Sequence, residues 1–228
     1  MITDPALVSD DSVGIARDFA HVETWVFDLD NTLYHPSARL FDRIEARMNL
    51  WMTRQLSIDL DEAQRLRRQY WAQYGTTLAG LMAEHRIDPT DFLDHVHDID
   101  MGHLTIDPAL VAGIQALPGR KIVYTNADIR YAAKVLRARG LSDLFDAVYG
   151  VEEAGLLPKP QPEAFRRIFA TDGLDPARAA MFEDDPRNLA APHQMGMRTV
   201  LVGDSGLAAD HIHHLTDDLA GFLARIIA

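Results

Sequence analysis

The chain has 228 residues, of which 47% are hydrophobic, enough for one large domain or a core carrying an insertion. It contains no cysteine, which excludes disulfides, zinc–thiolate sites and a cysteine nucleophile. Its formal charge of −12 argues against a nucleic acid polymer or an anionic membrane as partner, but not against a small phosphorylated ligand, because a metal ion and one lysine can reverse the field locally.

The stretch Met1–Ala20 has no basic start and no apolar run, so it reads as a loose leader or short helix rather than a signal peptide. No segment is apolar enough to span a membrane, and a soluble cytoplasmic protein is the expectation. Trp25, Val26 and Phe27 predict a buried strand that runs into Asp28-Leu29-Asp30-Asn31. From Phe41 the period becomes helical, with Ile44, Met48 and Trp51 or Met52 following at three- and four-residue steps. Asp59 with Glu62 forms a capping box; the helix behind it carries Ala63, Leu66, Tyr70 and Tyr74 on one face and stops at Gly75. Leu78, Leu81, Met82 and His85 predict a third helix, and Pro89 opens a fourth with Phe92, Leu93 and Val96 inward. The interval 36–104 is therefore all helical.

Alternation then sets in. Asp107-Pro108 caps a helix with Leu110, Val111, Ile114 and Leu117 on one face. Lys121–Tyr124 is a strand ending in Thr125-Asn126, followed by a helix with Tyr131, Ala132, Val135 and Leu136 that ends at Gly140. Ala147–Tyr149 is a strand, Pro162–Ala170 a helix, and Ala180–Phe182 a strand ending in Glu183-Asp184-Asp185. Leu189–Met195 is helical, Thr199–Val202 a strand, and Leu219, Phe222, Leu223 and Ile226 mark the last helix. Strand–helix alternation implies a Rossmann-like, doubly wound parallel α/β sheet. The helical block interrupts it directly after the first strand. The expected division is a core of 21–35 and 105–228 with an inserted helical cap over 36–104.

Ligands of open parallel sheets sit at the carboxyl ends of strands. The residues following successive strands are Asp28 and Asp30, then Thr125 and Asn126, then Lys159, then Glu183, Asp184 and Asp185. Taken singly, each has a plain explanation as a capped turn, a helix cap, a surface Lys-Pro turn or a solvated acidic loop. Two crowded carboxylates, however, repel unless a cation or a proton relieves them. Asp28 and Asp30 therefore read as a metal site or as a nucleophile with its acid/base partner.

The order and spacing resemble the haloacid dehalogenase superfamily. Phe27-Asp28-Leu29-Asp30-Asn31-Thr32-Leu33 looks like its first motif, Tyr124-Thr125-Asn126 its second, Lys159-Pro160 its third and Phe182-Glu183-Asp184-Asp185 its fourth. The resemblance implies Asp28 as nucleophile, forming an aspartyl-phosphate, and Asp30 as acid/base, its carbonyl facing a metal. It implies that Thr125 and Lys159 hold phosphate oxygens. It also implies a Mg²⁺ site made by Asp28, Asp30 and Asp184, with Glu183 or Asp185 assisting. A dehalogenase expels halide and needs no proton donor, so Asp30 favours phosphoryl transfer. The alternatives are a phosphomutase or dehalogenase on the same fold, or a phosphate-binding regulator without turnover.

Tyr34, at the hinge before the cap, and the cap run Tyr74-Gly75-Thr76-Thr77-Leu78-Ala79-Gly80-Leu81 resemble the pyrimidine 5′-nucleotidase branch. That likeness implies a nucleoside 5′-monophosphate such as UMP or CMP, with Asn126, Tyr34, Tyr74 and Thr76 as substrate-binding residues. Tyr74 reads equally well as cap packing. Trp51 and Trp71 read as cap packing. His95 with His97, and His211 with His213 and His214, lack a supporting carboxylate set and read as non-ligating.

Overall fold

Among the described residues, strands β1 (Thr24–Phe27), β2 (Arg120–Tyr124), β3 (Ala147–Tyr149), β4 (Ala179–Glu183), β5 (Arg198–Val202) and β6 (His214–Thr216) form one sheet in the order β3-β2-β1-β4-β5-β6. Every neighbouring pair is parallel. The computed structural model describes residues 9–203, 206 and 208–228, with side chains from residue 14 onward. Of the N-terminal stretch, Ser9–Asp18 is helix α1, and residues 1–8 lie outside the described residues.

Successive side chains of a strand face opposite sides of the sheet. Trp25 and Phe27 therefore pack with Phe182, Leu110, Tyr131 and Phe222 on one face, and Val26 packs with Ile122, Met181, Phe165 and Ile168 on the other. Helices α6 (Pro108–Ala116), α7 (Ile129–Arg139) and α10 (Leu219–Ile226) supply the first layer, together with α1. Helices α8 (Pro162–Asp172) and α9 (Ala190–Gln194) supply the second. Cover on both faces is why β1 and β4 are buried end to end and read as unbroken apolar runs. The rings of Phe27 and Phe182 lie 4.7 Å apart and nearly parallel, and such pairs add about 0.5–1.5 kcal/mol beyond area burial.

Between β1 and α6 the chain forms four helices: α2 (Leu40–Gln55), α3 (Leu60–Tyr74), α4 (Thr77–His85) and α5 (Pro89–Val96). Asp59 accepts from Glu62 N–H at 2.9 Å, as the capping box predicts. The α3–α4 corner is tight: a Cβ on Gly80 would lie 2.3 Å from the Tyr70 ring. Trp51 packs edge-on against Phe92 at 5.1 Å and donates to Asp91 at 2.8 Å, joining α2 to α5.

The chain leaves β1 for β2 on one side and later returns to β4 on the other, so the topological switch lies at β1. The crevice there opens at the carboxyl ends of β1, β2 and β4, where three of the motifs emerge, and the Lys159 loop reaches it from the end of β3. β6 was not expected. Its three residues, His-Leu-Thr, carry no strand pattern, and Leu215 is exposed.

Candidate active site

β1 ends at Phe27, but Asp28 keeps to the ladder, its N–H donating to Phe182 O at 2.9 Å. The chain then turns sharply at Asn31, whose φ of 61° is a left-handed conformation that Asn tolerates better than most side chains. The turn brings Asn31 Nδ2 to 3.3 Å from Asp184 Oδ2 and leaves Asp28 and Asp30 facing the crevice.

Lys159 enters from the loop between β3 and α8. Asn126 fixes that loop to the end of β2: Nδ2 donates to Lys159 O at 3.1 Å, and Oδ1 accepts from Lys159 N–H at 2.8 Å. Nζ consequently donates to Asp28 Oδ1 and Glu183 Oε1, both at 2.6 Å, and to Tyr124 O at 3.1 Å. Lys159 is 1% exposed. Burial alone would pull the ammonium down, but the Asp28 and Glu183 charges override it and hold Lys159 above the usual lysine range. The remaining oxygen bonds of Glu183 are also taken, by Asn188 Nδ2 at 2.6 Å and Asp185 N–H at 2.8 Å.

Burial pushes Asp28 up to about 8 although Lys159 pulls the other way, and the Glu183 and Asp30 charges add to the rise. Asp184 is pushed up to about 9 by burial and by the charges of Glu183 and Asp28. This is a site short of positive charge. Asp28, Glu183 and Asp184 each bring a carboxylate oxygen within 4.8 Å of the others, the one such group of His, Cys, Asp or Glu among the described residues. An all-oxygen set of this kind suits a hard divalent cation. Asp28 and Asp184 fit that role; Glu183 is committed to Lys159 and Asn188. Asp185 pairs with Arg187 at 2.6 Å.

Asp30 is half-buried and lines the same cleft as Asp28. Its Oδ1 accepts from Tyr34 Oη at 2.5 Å and from Tyr131 Oη at 2.7 Å. Burial raises its pKa, outweighing the two phenol bonds that pull it down. Thr125 is buried, and its Oγ1 accepts from Ala127 N–H at 3.1 Å, which leaves the hydroxyl proton to donate elsewhere.

The structure thus brings Asp28, Asp30, Thr125, Lys159, Glu183 and Asp184 to one crevice. The helical block completes it as a cleft of about 730 Å³, with Thr76, Thr77, Trp71, Ile44, Met48 and Phe92 on the far wall. Thr76 caps α4, its Oγ1 accepting from Ala79 N–H at 3.2 Å. Gly75 lies against the Lys159 loop: a Cβ there would sit 3.0 Å from Lys159 O. Three expectations look different here. Tyr74 does not line the cleft; it packs on Tyr70 and donates to Glu84. Tyr34 is 2% exposed and presents its hydroxyl to Asp30 rather than a ring face to a ligand. Asn126 spends both ends of its amide on the Lys159 backbone.

Trp71, read from sequence as packing, is 48% exposed at the cleft mouth, with the Arg187 guanidinium 3.5 Å over its ring. Tyr131 and the His97–Asp128 pair were missed as site residues. Tyr131 matched the apolar period of α7, and only the hydroxyl of a buried tyrosine, which needs a partner, pointed elsewhere. The His211 and His213 side chains are taken up by Pro186 O and Thr199, not by a metal cluster.

Residues 22–196, most of the chain and all four motifs, match the haloacid dehalogenase-like hydrolase family. The chain belongs to that family. It is 27% identical over 214 residues to phosphate metabolism protein 8 of Saccharomyces cerevisiae, an alignment covering 86% of this chain and 62% of that protein, so it spans less than two thirds of that relative. Among solved structures it is similar to CbbY from Rhodobacter sphaeroides in complex with phosphate (TM-score 0.63, 17% identical, 91% of this chain and 100% of that one). It is also similar to a phosphatase of the family from Thermococcus onnurineus (TM-score 0.62, 18% identical, 91% and 98% covered). A dehalogenase and the 2-haloacid dehalogenase from Pseudomonas syringae share the fold as well. No helix among the described residues is long and apolar enough to cross a membrane.

Proposed function

We propose that this hydrolase is a Mg²⁺-dependent phosphomonoesterase that works through a phosphorylated Asp28, with 36–104 acting as a cap over the core. The observation that carries the reading is the second carboxylate of the cleft. Asp30 lines it with Asp28, one oxygen doubly hydrogen-bonded and its pKa raised, as a group that must give and take a proton requires. Halide departure needs no such donor.

Asp28 and Asp184 would hold Mg²⁺, which when bound supplies the charge that lets a dianionic phosphate approach a carboxylate. The chain's own residues do the rest. Lys159 stays charged and keeps Asp28 oriented through Oδ1. Thr125 offers its hydroxyl proton to a phosphate oxygen. The Asp28 carboxylate attacks phosphorus while Asp30 protonates the departing alkoxide. Asp30 then takes a proton from the water that cleaves the acyl phosphate, which restores the Asp28 carboxylate and the acid form of Asp30 and releases phosphate.

For the leaving group we propose a small phosphorylated metabolite, a pyrimidine nucleoside 5′-monophosphate first among them. The Thr76-Thr77 hydroxyls and the Trp71 and Phe92 rings at the cleft suit a sugar and a base. A test is hydrolysis of p-nitrophenyl phosphate with Mg²⁺ and with EDTA, followed by UMP and CMP. Mg²⁺-dependent release of phosphate from all three is expected. Hydrolysis of p-nitrophenyl phosphate without nucleotide turnover would overturn the substrate, and turnover of neither would overturn the phosphatase reading.

A further inference from the structure

Asp30 is gripped on one oxygen only. Tyr34 Oη and Tyr131 Oη both donate to Oδ1, at 2.5 and 2.7 Å, and among the described residues Oδ2 has no hydrogen-bond partner. The two phenols come from opposite sides of the motif: Tyr34 lies four residues beyond Asp30 and Tyr131 is on α7. Both are buried, and burial with the nearby Asp30 charge drives both pKa values upward, so they stay protonated and act only as donors toward Asp30. Tyr131 is itself held. Its ring stacks on His97 at 4.5 Å with 22° between planes, and His97 Nδ1 lies 2.6 Å from Asp128 Oδ2, the residue that caps α7.

We infer that Tyr34 and Tyr131 are positioning residues that fix the rotamer of Asp30 and assign its working proton to Oδ2. A carboxyl whose Oδ1 accepts two O–H donors has no room for a proton there, so the acid form carries it on Oδ2. That proton passes to the leaving oxygen as the phosphorus–oxygen bond breaks and the bond from Asp28 forms. In the second half it is regained from water as the new phosphorus–oxygen bond forms and the bond to Asp28 breaks. Without the phenols the carboxyl can rotate, and the proton then points away from the leaving group in part of the population. This inference rests on the phosphomonoesterase reading.

The test uses Tyr34→Phe, Tyr131→Phe and the double variant in the full chain with Mg²⁺. Each change keeps the ring and removes one hydroxyl. The readout is kcat/KM for a series running from p-nitrophenyl phosphate to alkyl phosphates, because kcat/KM reports the step in which the leaving group departs. A poor leaving group needs the proton and a good one does not, and acid catalysis is worth about 10²–10⁴-fold. The expected result is a loss of about tenfold or more on alkyl phosphates against less than about threefold on p-nitrophenyl phosphate. Equal losses across the series would mean a structural role and overturn the inference, as would no loss on either class. Wild-type inactivity toward the whole series would fell the phosphatase reading and this inference with it, whereas the variants alone decide the inference.

Discussion

Removing the charge of Lys159 should destabilise the fold in a pH-dependent way. Nζ lies 2.6 Å from one oxygen each of Asp28 and Glu183 and is almost wholly shielded from water. At an effective dielectric of about 20, a pair this close attracts by about 6 kcal/mol, against a cost of several kcal/mol for taking the ammonium out of water. Lys159→Met keeps much of the volume but leaves the carboxylates facing each other, and breaking one side of a buried pair costs about 3–5 kcal/mol. For a chain of this size that is a drop in Tm of about 6–20 °C. The sign with pH follows from Asp28, whose folded pKa of about 8 stands above the ordinary aspartate value of 3.8. The stability that its proton contributes is complete below the lower value and is lost as pH rises through the higher one. Without Lys159 the folded pKa rises further, so the variant loses more between pH 5 and pH 8.5 than the wild type does. Melting curves of both metal-free proteins at about those two pH values should show the gap widening with pH. Adding Mg²⁺ at the higher pH should narrow it, because a cation supplies the missing charge. A gap under about 1 kcal/mol, or one independent of pH, would refute the idea that Lys159 neutralises a buried carboxylate cluster.

Asp28→Asn should abolish turnover and leave the fold intact, and phosphate from a labelled substrate should be trapped in the wild type on Asp28 and on no other residue. Trp71→Ala should raise KM for UMP and CMP by about tenfold while sparing p-nitrophenyl phosphate, as removal of a stacking ring worth about 1–3 kcal/mol would do. Tyr74→Ala should affect both substrates equally, because Tyr74 faces Tyr70 and Glu84 rather than the cleft. Gly80→Ala should destabilise by about 1–3 kcal/mol, because its Cβ would lie 2.3 Å from Tyr70; an unchanged unfolding midpoint in urea would contradict the α3–α4 packing.

The elements that were legible in the sequence are those whose burial is one-sided or complete. β1 and β4 are covered on both faces and read as apolar runs; α7 and α10 show a clean stripe of buried residues. The edge strand β6 failed because an edge with one exposed apolar residue has no pattern to read. The expected helix Leu189–Met195 corresponds to α9, Ala190–Gln194, whereas the 3₁₀ turn Pro186–Leu189 before it was not read, because so short a piece has no period to show.

The site was legible to the extent that charge was left at strand ends. A carboxylate after an apolar run must have an answer, and Lys159 supplies it to both Asp28 and Glu183 at 2.6 Å. What stayed hidden were groups whose polar atom is a small part of an apolar body. Tyr131 satisfies the hydrophobic period of α7 with its ring, so a pattern of buried and exposed positions counts it as core, and Tyr34 was expected to bind substrate rather than to donate its hydroxyl to Asp30. Trp71 misled in the opposite sense. Its place on α3 implied packing, yet the ring is half exposed, and Arg187, from the segment after β4, stacks on it across the cleft mouth. Two residues 116 positions apart meet there only because the sheet order sets β4 beside β1, and the helical block grows out of β1. The walls of this cleft are therefore a property of topology, whereas its floor is a property of local sequence. That division is why the hydrolase family could be read from four motifs and the group that fills the cleft could not.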